Sequence, residues 1–318
     1  MPEPQWQLRS NLTAAGKSRV AIDGIVRSGA AVPCFRGVLL PEHATGDLWQ
    51  RCGAALSTQH PEAMIGRETS ALVHNFPWRP DSWAVRAICV DAPREDTTRS
   101  SRRGLDRRLS AIPPEDVWSW GGLRVASIAR TAIDIARYHP RGLVLPILDG
   151  LLTQERCTRA ELLECVDRMV RVPHVQRARQ MVGDAREGVA SPRETHTRLR
   201  IIDAGLPEPD VNLLIERGQQ ILAQGDLGYW RWMIWIEYDG EEYHALRRFD
   251  GRDQRKDRWL IRRGWEVIRL TNEDHHSPAE FLGQLEAAIR EAPARVATMD
   301  PARSPEVAAA RKLLRYDR

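Results

Sequence analysis

An acid inside an apolar run is the feature that most restricts how this chain can fold. Glu237 interrupts the stretch Trp232-Met-Ile-Trp-Ile-Glu-Tyr238, whose apolar and aromatic composition predicts a largely buried strand. Burying a carboxylate without a partner costs several kcal/mol. The fold around this strand therefore has to bring a compensating group to Glu237.

The residues on either side of this run predict alternating helices and strands. Ser191-Pro-Arg-Glu194 is typical of a helix start, and Gly205 ends that helix. The pattern then predicts strands at 211–215, 221–227, 232–238 and 265–270, and helices at 253–263 and 277–289. This order predicts a mixed sheet flanked by helices.

The turn before Glu237 brings a second acid opposite it. If the chain reverses near Arg231, Asp226 and Glu237 face each other across a hairpin, with Cβ atoms about 5 Å apart. Two like charges at that distance are destabilising unless a cation offsets them. Mg²⁺, or Mn²⁺ in its place, is bound by such carboxylates together with substrate phosphate oxygens. The pair therefore suits phosphodiester hydrolysis, and Asp239 would add a third oxygen ligand on the same face.

Structural interpretations exist for most of these acids. Asp239-Gly240 is also a common turn dipeptide, Glu194 already has a role in the helix start, and Asp226 is compatible with a strand end. Glu237 is harder to explain in this way. The residues alone leave two alternatives open, a metal site and a set of structural acids.

The first 41 residues predict a small module with a helix-turn-helix and a hairpin. A helix at 12–15 ends at Gly16, Ser18 caps a second helix, and short apolar runs at 31–35 and 38–40 form the hairpin. In a winged helix-turn-helix, the candidate DNA contacts are Arg19 and Arg27 on the second helix and Arg36 in the hairpin turn. The alternative is a packing module that does not meet DNA.

The middle of the chain predicts helices and a few strands. The pattern predicts a helix at 48–57, a strand at 83–90, a helix from Ser127 to Tyr138, and a capping box at Thr158-Arg-Ala-Glu161. The composition around Gly188 is typical of a linker and predicts the next domain boundary. We predict an α/β multi-domain chain with four segments: a winged helix-turn-helix at 1–41, an α+β domain at 42–187, a third domain at 188–292 and a tail at 293–318. In the tail, Ser304-Pro-Glu306 is compatible with a further helix start.

Composition sets the wider limits. The five cysteines include no C-x-x-C pair, which predicts reduced thiols rather than a disulfide framework or a thiolate zinc site. A formal net charge of +4 is only a weak indication of nucleic-acid binding. No stretch approaches the roughly 18 uninterrupted apolar residues of a membrane span, so we expect a cytoplasmic protein without a membrane partner.

The ordered motifs near the C-terminus resemble a known family. Asp226-Leu227, Ile236-Glu-Tyr-Asp-Gly240, His244, Asp253 and Leu260-x-x-x-Gly264-Trp-Glu-Val-Ile-Arg269 are similar to the domain of unknown function related to very short patch repair endonuclease, within the restriction-endonuclease-like PD-(D/E)XK superfamily. The similarity covers about residues 191–289. It implies a restriction-endonuclease-like fold in which Asp226 and Glu237 hold the metal, Glu194 is an accessory acid, Asp239 lies in the active site, and His244 carries a proton.

One position departs from that superfamily. Its usual lysine, two residues after the second acid, is replaced here by Asp239, and Lys256 on the following predicted helix is the lysine available to substitute for it. This departure puts catalysis in doubt.

The N-terminal part also resembles a family. Leu12-Thr-Ala-Ala-Gly16 to Gly37-Val38, and Gly122-Leu-Arg-Val-Ala-Ser127-x-Ala-Arg130-Thr131-x-x-Asp134, are similar to AbiEi-type antitoxins and transcriptional regulators of type IV toxin-antitoxin systems. The resemblance implies DNA as a partner, together with a cognate toxin or a second copy of the chain. Arg130, Thr131 and Asp134 are also explained as capping and packing residues.

Two functions follow as alternatives. The first is a magnesium-dependent DNA endonuclease or nickase directed by the winged helix, with Arg247, Arg248 and Lys256 contacting phosphate. The second is a DNA-binding regulator or antitoxin-like protein whose nuclease-type domain is not catalytic. The missing lysine favours the second.

Overall fold

The computed structural model describes residues 3–85, 87–96, 104–238, 251–302 and 304–315. The chain divides into two units, Met1–Asp184 and Ala185–Arg318. Each unit has its own sheet and its own hydrophobic clusters.

The first unit begins with short helices beside a three-stranded sheet. In chain order these elements are β1 (Gln7–Leu8), α1 (Arg9–Ala14), α2 (Arg19–Arg27), β2 (Ala31–Phe35) and β3 (Val38–Pro41). The strand order is β1-β3-β2, with antiparallel neighbours. The hydroxyl of Ser18 accepts a hydrogen bond from the backbone N–H of Ala21 at 3.2 Å, and it caps α2 as the sequence predicted.

A five-stranded mixed sheet and helices complete this unit. Its elements are α3 (Leu48–Leu56), β4 (Met64–Ile65), α4 (Arg67–Val73), β5 (Ile88–Pro93), β6 (Leu105–Ser110), β7 (Val117–Trp120), β8 (Leu123–Ala126), α5 (Ile128–Tyr138), α6 (Arg141–Thr153), α7 (Arg159–Arg168) and α8 (Val175–Asp184). The strand order is β6-β5-β4-β8-β7. Phe35, Val38 and Leu40 of the first sheet share one buried cluster with Ile65 and Val90 of the second. Residues 1–41 thus pack into the core of the region that follows them.

The middle region agrees with most of its predicted elements. The helix α3 is present, Ser127 caps α5, and Thr158 and Glu161 form the predicted capping box. The strand predicted at 83–90 is wrong in its first half, because Asp81–Val85 is a 3₁₀ helix and β5 begins at Ile88. Trp83 is buried at 3% exposure, and its backbone N–H donates to the Pro80 carbonyl at 3.1 Å. The first part of the predicted strand therefore forms a turn with a buried side chain, and only the second part forms a strand.

The second unit is built on a four-stranded mixed sheet. Its elements are α9 (Pro192–Asp203), β9 (Asp210–Arg217), β10 (Gln220–Tyr229), β11 (Ile234–Tyr238), α10 (Gly251–Arg262), β12 (Glu266–Leu270), α11 (Asn272–His276), α12 (Ala279–Thr298) and α13 (Pro305–Arg315). The strand order is β12-β11-β10-β9. The neighbours are antiparallel except β11 and β12, which are parallel, as the predicted mixed sheet requires.

Helices cover both faces of this sheet. On one face, Ile201 of α9 and Phe281 and Leu285 of α12 lie in a cluster with Ile234 and Ile236 of β11. On the other face, Leu260 of α10 and Val307 and Ala310 of α13 lie in a cluster with Trp235. The result is a helix-sheet-helix arrangement in which the predicted tail contributes to the core.

The last predicted helix differs at both ends. Thr271 and Asp274 form a capping box that starts α11, so Ser277 follows that short helix and the N-cap of α12 is Pro278. The helix α12 continues to Thr298 rather than ending near 289, because Ala292 and Val296 are also buried. The capping box at Thr271 therefore begins a helix six residues before the helix start that the sequence predicted at Ser277.

Two further observations concern the whole described chain. All five cysteines are free thiols and four of them are buried, in agreement with the reduced cysteines predicted. Within the described residues, no helix has both the length and the apolar character needed to cross a membrane.

Candidate functional site

The hairpin of β10 and β11 brings the two predicted acids together. Leu227 lies opposite Ile236 in the backbone register, and continuing that register by one residue places Asp226 opposite Glu237. The chain reverses through the 3₁₀ turn Trp230–Trp232, as the sequence predicted. An oxygen of Asp226 accepts a hydrogen bond from the backbone N–H of Tyr238 at 2.9 Å, which ties the two strands together at this point.

The carboxylate of Glu237 is buried and surrounded by N–H donors. Its exposure is 7%, and its Oε1 accepts hydrogen bonds from the indole of Trp235 at 2.7 Å and from the ammonium of Lys256. Arg269 Nη2 lies 3.2 Å from its Oε2. The compensating groups that the sequence required are thus a lysine, an arginine and an indole of the same unit.

Arg269, one of the two cations at Glu237, is itself positioned by an acid. Arg269 is the parallel-strand register partner of Glu237, and its guanidinium meets both oxygens of Asp257 at 3.0 and 2.6 Å. Asp257 and Lys256 are adjacent on α10. One helix therefore supplies both a cation for Glu237 and the anion that orients Arg269.

A divalent cation at this position would need carboxylate oxygens that are free to bind it. Magnesium is bound through free carboxylate oxygens, usually with several waters. Here both oxygens of Glu237 already meet N–H donors, and an ion would have to displace Lys256 or Arg269. Among the described residues, no group of three or more His, Cys, Asp and Glu side chains is placed to hold a metal ion. In this arrangement the described residues do not fit a bound divalent cation.

Asp226 lies at an irregular position in the sheet. Gly225 pairs with Leu213 and Leu227 pairs with Val211, so Asp226 lies opposite Asn212, whose φ of +52° is in the left-handed region. Val211 and Leu213, on either side of Asn212, lie in clusters on opposite faces of the sheet, whereas regular strand alternation would place them on the same face. The side chains of β9 therefore change from one face of the sheet to the other at Asn212, opposite Asp226. Irregular strand positions of this kind often occur next to functional sites.

The glycines of this hairpin are explained by close packing. A Cβ atom on Gly225 would lie 2.4 Å from Trp235 Cε2, and one on Gly228 would lie 2.3 Å from the carbonyl oxygen of Ile234. Gly225 thus leaves room for the indole that donates to Glu237.

The other predicted site residues do not join Asp226 and Glu237 in one cluster. Glu194 is buried, and its carboxylate accepts from the Ala190 backbone N–H at 2.9 Å and the Ser191 hydroxyl at 2.8 Å, which is a role at the start of α9. Lys256, predicted as a DNA contact, lies at the carboxylate of Glu237. The remaining predicted residues lie outside the described residues: Asp239, His244, Arg247 and Arg248.

A polar cluster that the sequence did not predict surrounds Tyr238, whose side chain packs on the opposite face of the sheet from Glu237. Arg193 lies over the ring of Tyr238 at 4.7 Å, and its Nη1 donates to Asn272 Oδ1 at 2.5 Å. The hydroxyl of Tyr238 also bonds Asn272. Local sequence patterns give no signal for such a cluster, because its members come from three elements far apart in the chain.

The N-terminal module presents arginines to solvent. Arg19 and Arg27 are exposed on α2, and Arg36 is exposed in the turn between β2 and β3, next to Gly37 with φ +83°. The acid on the same helix, Asp23, is paired with Arg9 at 2.9 Å. The exposed charge of the helix and hairpin turn is therefore predominantly positive.

The predicted motif around Arg130 is a buried structural network. The guanidinium of Arg130 donates to Asp134 at 2.6 Å, to Asp116 at 2.9 Å and to the Ala111 carbonyl at 3.0 Å. Thr131 bonds the hydroxyl of Ser70 at 2.6 Å. These contacts fasten α5 to the loop that precedes β7, in agreement with the packing interpretation of the motif.

Together, the fold and these sites describe a two-unit α/β protein. Its first unit carries an exposed basic helix and hairpin, and its second unit carries a carboxylate pair of which Glu237 meets two cations of the same unit. Residues 79–184 match the profile of the family described as AbiEi antitoxin C-terminal domain.

Two similar chains come from Mycobacterium tuberculosis. Two uncharacterized proteins of Mycobacterium tuberculosis, from strains CDC 1551 and H37Rv, are each 30% identical over 148 residues, which is 46% of this chain and 54% of the relative. The chain thus spans about half the length of the curated relatives that it matches.

Proposed function

We propose that this protein is a DNA-binding transcriptional regulator of the antitoxin type. The observation that carries this proposal is the match of residues 79–184 to the AbiEi antitoxin C-terminal domain. A regulator of this type implies a cognate toxin whose genes it controls, or a second copy of the chain on a two-fold symmetric site, as partners besides DNA.

The N-terminal module supplies the DNA contacts in this proposal. The order of α1, α2 and the β2–β3 hairpin suits a winged helix, with α2 as the recognition helix and the hairpin turn as the wing. Arg19 and Arg27 would then approach the major groove or its phosphates, and Arg36 the adjacent backbone. Arginine contacts of this kind release condensed counterions, so binding falls steeply with salt.

The C-terminal unit is, in this proposal, a restriction-endonuclease-like domain used for binding rather than cleavage. The succession of α9, three antiparallel strands, α10 and a parallel strand supports that fold. The neutralisation of Glu237 by Lys256 and Arg269 supports the loss of metal chemistry, because the acid does not need an ion to be stable when buried.

DNA binding at the regulator's own upstream sequence tests the proposal. We expect the wild type to bind that DNA more tightly than unrelated duplex, and Arg19→Ala/Arg36→Ala to weaken binding and lower the salt slope by about 2, one unit for each lost phosphate contact. Arg171→Ala, an exposed arginine outside the module, is the control with a comparable charge change per site. Equal affinity of the double variant and the wild type at every salt concentration would refute the assignment.

A second candidate is a metal-dependent DNA endonuclease or nickase. The observation that favours it is the placement of Asp226 opposite Glu237 with a lysine ammonium at the same carboxylate. Its test is the nicking of supercoiled plasmid with Mg²⁺ or Mn²⁺ but not with EDTA. Cleavage that disappears in Asp226→Asn and in Lys256→Met would establish an enzyme, whereas cleavage that survives both substitutions would reveal a contaminant.

A further inference from the structure

A group of titratable and cationic side chains lies on α9 and α11, beside the cluster of Arg193 and Tyr238. We call it the α9–α11 basic surface, and its members are Arg193, His196, Arg200, His275 and His276. The rings of His196 and His275 are 5.9 Å apart, and those of His275 and His276 are 5.8 Å apart. Arg200 Nη1 lies 3.3 Å from Nδ1 of His275.

The surroundings of His275 oppose the protonation of its ring. Burial lowers the pKa of His275, and Arg200, His196, Arg193 and His276 lower it further by repulsion. Because an arginine can only donate, the contact with Arg200 also requires a lone pair on Nδ1 of His275, which a protonated ring lacks. Protonation of His275 is therefore disfavoured by neighbours that would themselves gain from a nearby anion.

The acids around α11 are mostly engaged elsewhere. On the helix itself, Asp274 accepts from the backbone and hydroxyl of Thr271 at 2.8 and 2.9 Å, and Glu273 is exposed. The helix α9 contacts α11 through His196 and Arg200, and it also carries Asp203, which is exposed. The elements β12 and α12 contact α11 as well. They carry Arg269, which is paired with Glu237 and Asp257, and Glu280, which is exposed in the first turn of α12.

The spacing of the arginines suits a phosphate backbone. Arg193 and Arg200 are seven residues apart on α9, about 10 Å along the helix axis. A nucleic-acid strand carries a phosphate at roughly every 3.4 Å of its axis, so about three phosphates fit that length. The histidines of α11 lie beside this line of charge.

We propose that the α9–α11 basic surface is a phosphate-binding surface for nucleic acid, separate from the N-terminal module, and that its binding strengthens as the pH falls. This goes beyond the proposed function, whose named DNA contacts, Arg19, Arg27 and Arg36, all lie in the N-terminal module. An approaching phosphate offsets the repulsion between the cations and favours the protonated form of His275. Binding then takes up protons, so affinity rises with acidity.

The test is the pH dependence of duplex binding by the full chain. Affinity for a duplex of unrelated sequence is measured at pH 6, 7 and 8 at constant ionic strength, for the wild type, His196→Gln/His275→Gln/His276→Gln, and Arg193→Gln/Arg200→Gln. We expect the wild type to bind about tenfold more tightly at pH 6 than at pH 8, which corresponds to net uptake of less than one proton. The histidine variant should lose that dependence, and the arginine variant should bind more weakly at every pH.

Controls separate this inference from the proposed function. His43→Gln removes an exposed histidine of the other unit and should leave the pH dependence unchanged. Arg19→Ala/Arg36→Ala should weaken binding while keeping the pH dependence. An unchanged pH profile in the histidine variant would overturn the surface, and so would displacement of the duplex by inorganic phosphate at low millimolar concentration, which would indicate a small-anion site. Neither result depends on whether the N-terminal module binds DNA.

Discussion

Glu237 and Arg269 occupy the same register position on two parallel strands, and their charged groups meet at 3.2 Å. Parallel strands connected through a helix are normally buried on both faces, so a side chain there has little access to water. The arginine on the neighbouring strand, together with Lys256 on the connecting helix, gives the buried acid its counter-charges. This explains how an apolar strand can contain an acid without a bound ion.

The pairing of Glu237 with Lys256 should contribute measurably to stability. We expect a double-mutant cycle of Glu237→Gln and Lys256→Met to give a coupling energy of about 1–3 kcal/mol, because one partner is buried and an unpaired buried charge is costly. The free energy of unfolding is measured with urea for the four chains.

An exposed ion pair is the control for that cycle. Arg9 and Asp23 are 2.9 Å apart with side chains 38% and 56% exposed, and their coupling should stay below about 1 kcal/mol. Equal couplings for the two pairs would mean that burial of Glu237 does not strengthen its contact with Lys256.

Removing Lys256 should create a metal response that the wild type lacks. Millimolar Mg²⁺ or Mn²⁺ should hardly change the melting temperature of the wild type, because both oxygens of Glu237 are occupied. In Lys256→Met one oxygen loses its ammonium, and Asp226 lies opposite it, so the ion should raise the melting temperature by mass action. Adding Asp226→Asn to that variant should abolish the shift. A clear shift in the wild type would contradict the internal neutralisation and favour the nuclease.

Gly225 tests the packing behind the acid. Gly225→Ala places a Cβ within 2.4 Å of Trp235, so the indole must move and its hydrogen bond to Glu237 is lost. We expect a loss of about 1–3 kcal/mol in the free energy of unfolding. Gly283→Ala, at a helical position of the same unit with open space around it, should instead stabilise by roughly 0.5–1 kcal/mol. Similar losses in both variants would mean that the contact with Trp235 is not the cause.

Much of the C-terminal fold could be predicted because its signals are local. Caps, apolar runs and the position of the turn near Arg231 fix the element order and the hairpin register that opposes Asp226 and Glu237. The same signals failed where two of them competed, as at Ser277, where the capping box of Thr271 begins a helix earlier.

The partners of Glu237 could not be predicted because they depend on tertiary placement. The sequence required a compensating group, and a bound cation is the simplest one that a local pattern suggests. Lys256 and Arg269 reach the acid through a helix crossover and a parallel strand pair, and neither distance is encoded in spacing along the chain. The need for a counter-charge was therefore predictable, but its identity was not.

The pairing of Glu68 with His139 gives the N-terminal unit a pH-dependent stability. Burial raises the pKa of Glu68, but hydrogen bonds from His139 at 2.8 Å, from its own backbone and from Cys89 outweigh it and lower the pKa to about 2. A carboxyl group whose pKa is lowered from 4.5 stabilises the fold above that pH and loses its contribution as the pH falls toward 2. The expected loss is on the order of 3 kcal/mol between pH 5 and pH 2.

Calorimetry of the wild type and of Glu68→Gln tests this expectation. The variant should be less stable than the wild type at pH 6 and less sensitive to acid below pH 4.5. The control Glu164→Gln, at an exposed position of α7, should follow the wild type. If Glu68→Gln and the wild type lose stability in parallel as the pH falls, the bond to His139 does not hold the carboxylate in its charged form.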